Sequence, residues 1–216
     1  MKNVKQSTKI LAAAILFQLG LLVFRWIYTK ELTFGFYPWN TFLAIVPLFF
    51  STKLLKQTKL NISAIICLLG WLLFFPNAPY LVTDIFHFGE HQVVPLWFDL
   101  VIVLLGAWNG ILLAIKSLLQ VEQFFSKLYS GNWLSFIMAT IFLLTGYGVY
   151  IGRYLRFNSW DIVTAPVELF STSLKHVMNP FSYTHLWAFT IVFSFMLCLM
   201  YYTFKSILPV IKNQQD

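Results

Sequence analysis

The 216-residue chain is 59% hydrophobic and only 11% charged, against roughly 25% charged in a soluble domain. That balance excludes an ordinary soluble core and fits apolar runs of about 20 residues, the length that crosses a bilayer. A net charge of +7 would suggest nucleic acid in a soluble protein, but here the basic residues lie between apolar runs and act as topology signals, so no nucleic-acid partner is expected.

The first candidate span, Lys9–Tyr28, follows Lys2, Lys5 and Lys9 as a signal peptide would. Arg25 and Trp26 stand where small residues would mark cleavage, so it reads as a retained span. The second, Phe36–Leu55, is interrupted by Asn40 and Pro47, which suggest a kinked or partly re-entrant segment. Ile62–Pro79, Pro95–Ile115, Trp133–Gly152 and Thr184–Phe204 complete a polytopic, all-α transmembrane bundle of about six spans. Residues 1–208 form one integral-membrane domain, and 209–216 a polar, frayed cytoplasmic tail. Cys67 and Cys198 both fall inside apolar runs and read as free buried thiols.

Orientation follows from the basic residues. Six crossings place Lys2, Lys5, Lys9, Lys53, Lys56, Lys59, Lys116, Lys127, Lys205 and Lys212 on one side. Arg25, Lys30, Arg153, Arg156 and Lys175 fall on the other. The positive-inside rule then puts both termini in the cytoplasm and predicts a multi-pass protein of the plasma (inner) membrane. In the outer loop from 157 to 183, Val167, Phe170, Leu174 and Val177 recur at helical spacing. Pro166 suits a helix start and Asn179-Pro180 its end. The expectation is a short interfacial helix between the fifth and sixth spans, with a packed lid as the alternative.

Two polar stretches break the apolar pattern on the outer side: PNAPYLVTDIFHFGEH, Pro76 to His91, and GRYLRFNSWD, Gly152 to Asp161. Charge near hydrocarbon is costly, so these stretches mark the candidate site. Pro76 and Pro79 should break the third span, and Asn77 is placed to satisfy carbonyls freed there. Asp84, His87 and His91, spaced i, i+3 and i+7, would share one helix face and suggest a divalent-metal site, with Asp84 and His87 as alternative acid/base groups. His87-x-x-Glu90-His91 also matches the H-x-x-E-H protease pattern, though Gly89 weakens the helix it requires.

Asp99 lies one turn inside the fourth span, on nearly the face of a Gly106/Gly110 pair. Arg156 lies four residues beyond a Gly148/Gly152 pair. Packing the two glycine rows together would bring Asp99 and Arg156 towards each other. Arg153 and Arg156, one turn apart, are expected to reach one anionic group such as a lipid phosphate, with Asn158 and Asp161 beside them. The alternatives are snorkelling to the interface and internal pairing with Asp84, Asp99 and Asp161.

PNAPYLVTDIFH, then PLWFDL, then GRYLRFNSWD resemble the bacterial membrane-protein family known as domain of unknown function 1361, over roughly Trp71 to Asp161. The resemblance implies a multi-span architecture without an established reaction. It marks Asn77, Asp84, His87, Asp99, Arg153, Arg156, Asn158 and Asp161 as motif positions. Three functions stay open: an outward-facing site for an anionic or lipid-linked ligand, a membrane-surface enzyme using Asp84 and His87, and a structural partner of another membrane protein.

Overall fold

The computed structural model describes residues 2–89 and 93–213, with side chains from 6 to 89 and from 93 to 207. Among these residues every regular element is helical: α1 Lys2–Thr29, α2 Tyr37–Leu55, α3 Ile62–Phe74, α4 Asn77–Thr83, α5 Leu96–Phe125, α6 Asn132–Tyr154, α7 Asp161–Thr164, α8 Pro166–Met178 and α9 Thr184–Asn213. One 3₁₀ turn, Asp84–His87, follows α4, and another, Pro180–Tyr183, precedes α9. α9 runs past Lys205, after which the sequence suggested fraying, as far as Asn213.

Five segments are long and apolar enough to cross a membrane: Gln6–Thr29, Ile62–His87, Leu96–Phe125, Asn132–Tyr154 and Pro180–Ile207. The remaining expected span, α2, is not in that set, although it is a continuous helix of 19 residues. Pro47 does not end it. Its two ends lie at opposite ends of the bundle. Asn40 reaches Asp84 at one end, while Ser51 bonds Gln120 and Lys127 bonds the Leu55 carbonyl at the other.

α5 is the central helix, packed by α1, α2 and α4. Small residues let its neighbours approach closely. A Cβ on Gly106 would meet the Tyr37 ring and Gln18, and one on Gly110 would meet Ala78 O and Leu81. The core centres on Trp71, Phe75, Ile102, Leu118 and Phe124, with Trp71 Nε1 donating to Ser117 inside it. α6 and α9 form a second packed pair, brought together at Gly146, whose missing Cβ makes room for Ser194 and the Thr190 carbonyl. The glycine rows of α5 and α6 therefore do not face each other. Gly148 abuts Pro76, and Gly152 lies near Tyr80 and Phe157.

Candidate functional site: an ion-paired frame beside an amphipathic cleft

The two prolines shape the first half of the site. Pro76 and Pro79 have no N–H to continue the helical ladder. Ala78 N bonds Phe75 O instead of Phe74 O. The Phe74 carbonyl is satisfied by Asn77 Nδ2 at 2.8 Å, as the sequence suggested. The same Nδ2 donates to Ser159 Oγ at 2.8 Å, and Ser159 Oγ donates to Leu73 O at 3.1 Å. Asn77 and Ser159 thus fasten the break between α3 and α4 to the loop that follows α6.

Arg153, in the last turn of α6, points into the bundle. Its Nη2 meets Asp84 Oδ1 at 2.7 Å, Nε donates to Thr83 Oγ1 at 2.9 Å, and Nη1 lies 3.1 Å from His87 Nε2. The rings of Tyr80 and Phe86 flank the guanidinium at 4.6 and 5.8 Å. Asn40 Nδ2 donates to the other Asp84 oxygen at 3.4 Å. Asp84 is 1% exposed, and these partners offset part of the cost of burying its carboxylate. Asp84 and His87 both contact Arg153, whose guanidinium stands between the two groups that the sequence offered as metal ligands. His91 and Glu90 lie outside the described residues. Among the described residues, no group of three or more His, Cys, Asp or Glu is placed to hold a metal ion.

The expected Asp99–Arg156 approach does not occur. Asp99 receives Arg25 of α1 at 2.7 and 3.1 Å, and both residues are buried. Beside this pair Gln18 Nε2 donates to Ile102 O and Asn109 Nδ2 donates to Gln18 Oε1. Arg25, Gln18 and Asn109 were not singled out in the sequence as site-forming. A usable signal was there: Gln18 and Arg25 are seven apart, as are Asp99 and Gly106, so each pair shares one helix face.

Arg156 also departs from its expected role. α6 stops at Tyr154, and Arg156 takes a left-handed conformation with φ 61°. Its exposed side chain borders a separate depression with Asp161, Glu168 and Thr172. Arg153 and Arg156 therefore diverge rather than clasp one anion. Asp161 organises its own loop, accepting from Asn158 N–H at 2.6 Å and Thr164 Oγ1 at 2.9 Å.

Next to the Arg153 frame lies a cavity of about 150 Å³. It is lined by the polar Asn40, Asn77, Tyr80, Asn158 and Ser159, by Trp39, and by the apolar Leu43, Leu73, Pro76, Gly148, Ile151, Gly152 and Phe157. Leu43 and Leu73 lie about one turn along their helices from Asn40 and Asn77, towards the far end of the bundle. Leu169 of α8 closes one flank. α8 is held by Tyr147, whose hydroxyl lies 2.9 Å from Ser173 and 3.0 Å from His176 Nδ1. Burial pushes the His176 imidazole below its usual pKa. Of the sequence-predicted residues, Asn77 and Asn158 line the cavity, Asp84, His87 and Arg153 stand behind Tyr80, and Asp99 belongs to the separate pair with Arg25.

No curated protein and no solved structure matches the chain. A family profile does match, over residues 39–200, and spans α2 through most of α9, including both halves of this site. The chain belongs to that family, described as a protein of unknown function, DUF1361.

Proposed function

We propose that this integral membrane protein binds the polar head of an amphipathic, lipid-linked ligand in the cleft between α2, α4, α6 and the loop from 157 to 159. The supporting observation is the grading of the walls with depth. Amide and hydroxyl groups of Asn40, Asn77, Tyr80, Asn158 and Ser159 gather at one end of the cleft, and the walls one turn further along α2 and α3 are the apolar Leu43 and Leu73. A head group would sit among the former while its chain passes Leu43 and Leu73, and both halves keep the environment they prefer. Arg153 is absent from the lining and already satisfied by Asp84. This favours the lipid-linked arm of the sequence expectation over a free anion.

In this reading α2 is a sixth crossing, both termini are cytoplasmic, and the cleft faces outward at the plasma membrane. α8 lies in the outer interface. Val167 and Phe170 are 80% and 70% exposed, while Ser173 and His176 bind Tyr147, two turns below the end of α6. An apolar face turned outward at that depth suits lipid. The enzyme alternative has less support, because Asp84 and His87 do not line the cleft. The test is native mass spectrometry of protein released from nanodiscs. Wild type retains lipid through mild activation, and Leu43→Trp, which fills the lower cleft, loses it. Equal retention by both would sink the reading.

A further inference from the structure

The polar wall also carries information about which head group it takes, given that the cleft binds one at all. We infer that the head is uncharged and rich in hydroxyl donors, as in a glycosyl lipid. Three observations carry this. First, among the described residues no Lys, Arg, His, Asp or Glu lines the cleft. The Arg153 guanidinium lies across the Tyr80 ring and is paired with Asp84, and Arg156, next to Phe157, borders the separate depression with Asp161 and Glu168.

Second, the amides are oriented by the frame. Asn77 Nδ2 is engaged by two acceptors, Phe74 O and Ser159 Oγ, and Asn40 Nδ2 by the Asp84 carboxylate. An acceptor partner can only be faced by the NH₂ end, so the orientation of both amides follows from chemistry. Neither Oδ1 has a protein donor among the described residues, and neither is a sealed, buried atom. Ser159 directs its own hydrogen to Leu73 O. Asn40, Asn77 and Ser159 therefore present acceptors, beside the donors of the Tyr80 hydroxyl and the Trp39 indole N–H. Phosphate oxygens can use only the donors, whereas hydroxyls pair with both kinds of group.

Third, Trp39, half exposed at the rim, lies 6.0 Å from Trp160. The electron-rich face of an indole attracts the weakly positive C–H face of a sugar ring. Asn158, exposed and with no side-chain bond, adds a donor and an acceptor at the mouth.

The experiment places the full-length protein in phosphatidylcholine nanodiscs doped equally with monoglucosyl diacylglycerol or with phosphatidate, and reads retained lipid by native mass spectrometry. We expect the glucolipid to be retained about tenfold more than phosphatidate, or about 1.4 kcal/mol. Asn158→Ala, which touches no framework bond, should lower glucolipid retention and leave phosphatidate unchanged. Leu43→Trp should lose the glucolipid. Equal or stronger retention of phosphatidate overturns the head-group inference. Glucolipid retention that persists in Leu43→Trp overturns the cleft reading beneath it. Displacement of the glucolipid by free glucose at the same concentration would assign the site to a soluble sugar and overturn the lipid-linked source.

Discussion

Arg25 and Asp99, 74 positions apart, meet at two points, 2.7 and 3.1 Å, where α1 crosses the N-terminal end of α5. Neither has meaningful solvent contact, and Phe34 lies 5.3 Å from the guanidinium carbon. Such a pair costs a great deal to desolvate, and its removal by halves costs more than its removal as a unit.

That asymmetry is measurable. Arg25→Met alone, or Asp99→Leu alone, should destabilise the protein by about 3–5 kcal/mol by stranding one buried charge. The double variant should recover most of the loss. Thermal unfolding in detergent of the four proteins reports it. A double variant as unstable as the sum of the singles would show that the pair does not act as a unit.

Arg153→Lys tests whether the fork geometry matters. Lysine brings one ammonium to a place where arginine reaches Asp84, Thr83 and His87 with separate nitrogens. We expect a loss of about 2–3 kcal/mol from the weakened charge-assisted bonds. Thermal shift measured beside Arg153→Gln separates the charge from the geometry.

Close helix contact around α5 predicts opposite outcomes for two glycines. Gly110→Ala drives a methyl into the Ala78 carbonyl and Leu81, while Gly20→Ala meets nothing within 4 Å. The first should cost about 1–3 kcal/mol. The second should be neutral or slightly stabilising, since alanine is the better helix former. Chemical denaturation of both variants checks the contrast.

His176 makes the seating of α8 depend on pH. Its folded pKa is held below the ordinary imidazole value by burial. The folded state therefore binds its proton less readily than the unfolded state does. The stabilisation from docking is present above the ordinary imidazole pKa and is lost as pH falls through it. Hydrogen exchange across Pro166–Met178 should accelerate in mild acid, and His176→Phe should remove that dependence.

The outward orientation predicts that thiols introduced as Phe88→Cys and Trp160→Cys both react with an impermeant reagent in intact cells. These positions flank the two halves of the site at one end of the bundle. Reaction at only one of them would contradict the topology.

The helical bundle was legible because apolar runs of the right length dominate the chain, and the break at Pro76 followed from proline chemistry. Asn77 taking up a freed carbonyl was legible for the same reason. The partners of the charges were not. Spacing along one helix orders residues on a face but does not say which helix stands opposite, so Asp99 was matched to Arg156 while Arg25 waited on α1. Arg156 was misplaced for a local reason: the helix ends two residues before it, at Tyr154, where its positive φ turns the chain, and no glycine announces the turn. The cleft was invisible in the sequence because side chains from α2, α3, α4, α6, α8 and the loop from 157 to 159 build it together.

The break between α3 and α4 has a consequence for biogenesis. Two of its carbonyls, Leu73 O and Phe74 O, are completed by a hydroxyl and an amide whose mutual bond spans 82 residues. During synthesis the Phe74 carbonyl finds Asn77 at once, but the Leu73 carbonyl gains its hydroxyl partner only after the ribosome has made Ser159. The segment Ile62–His87 is therefore completed only after Leu96–Phe125 and Asn132–Tyr154 have been synthesised.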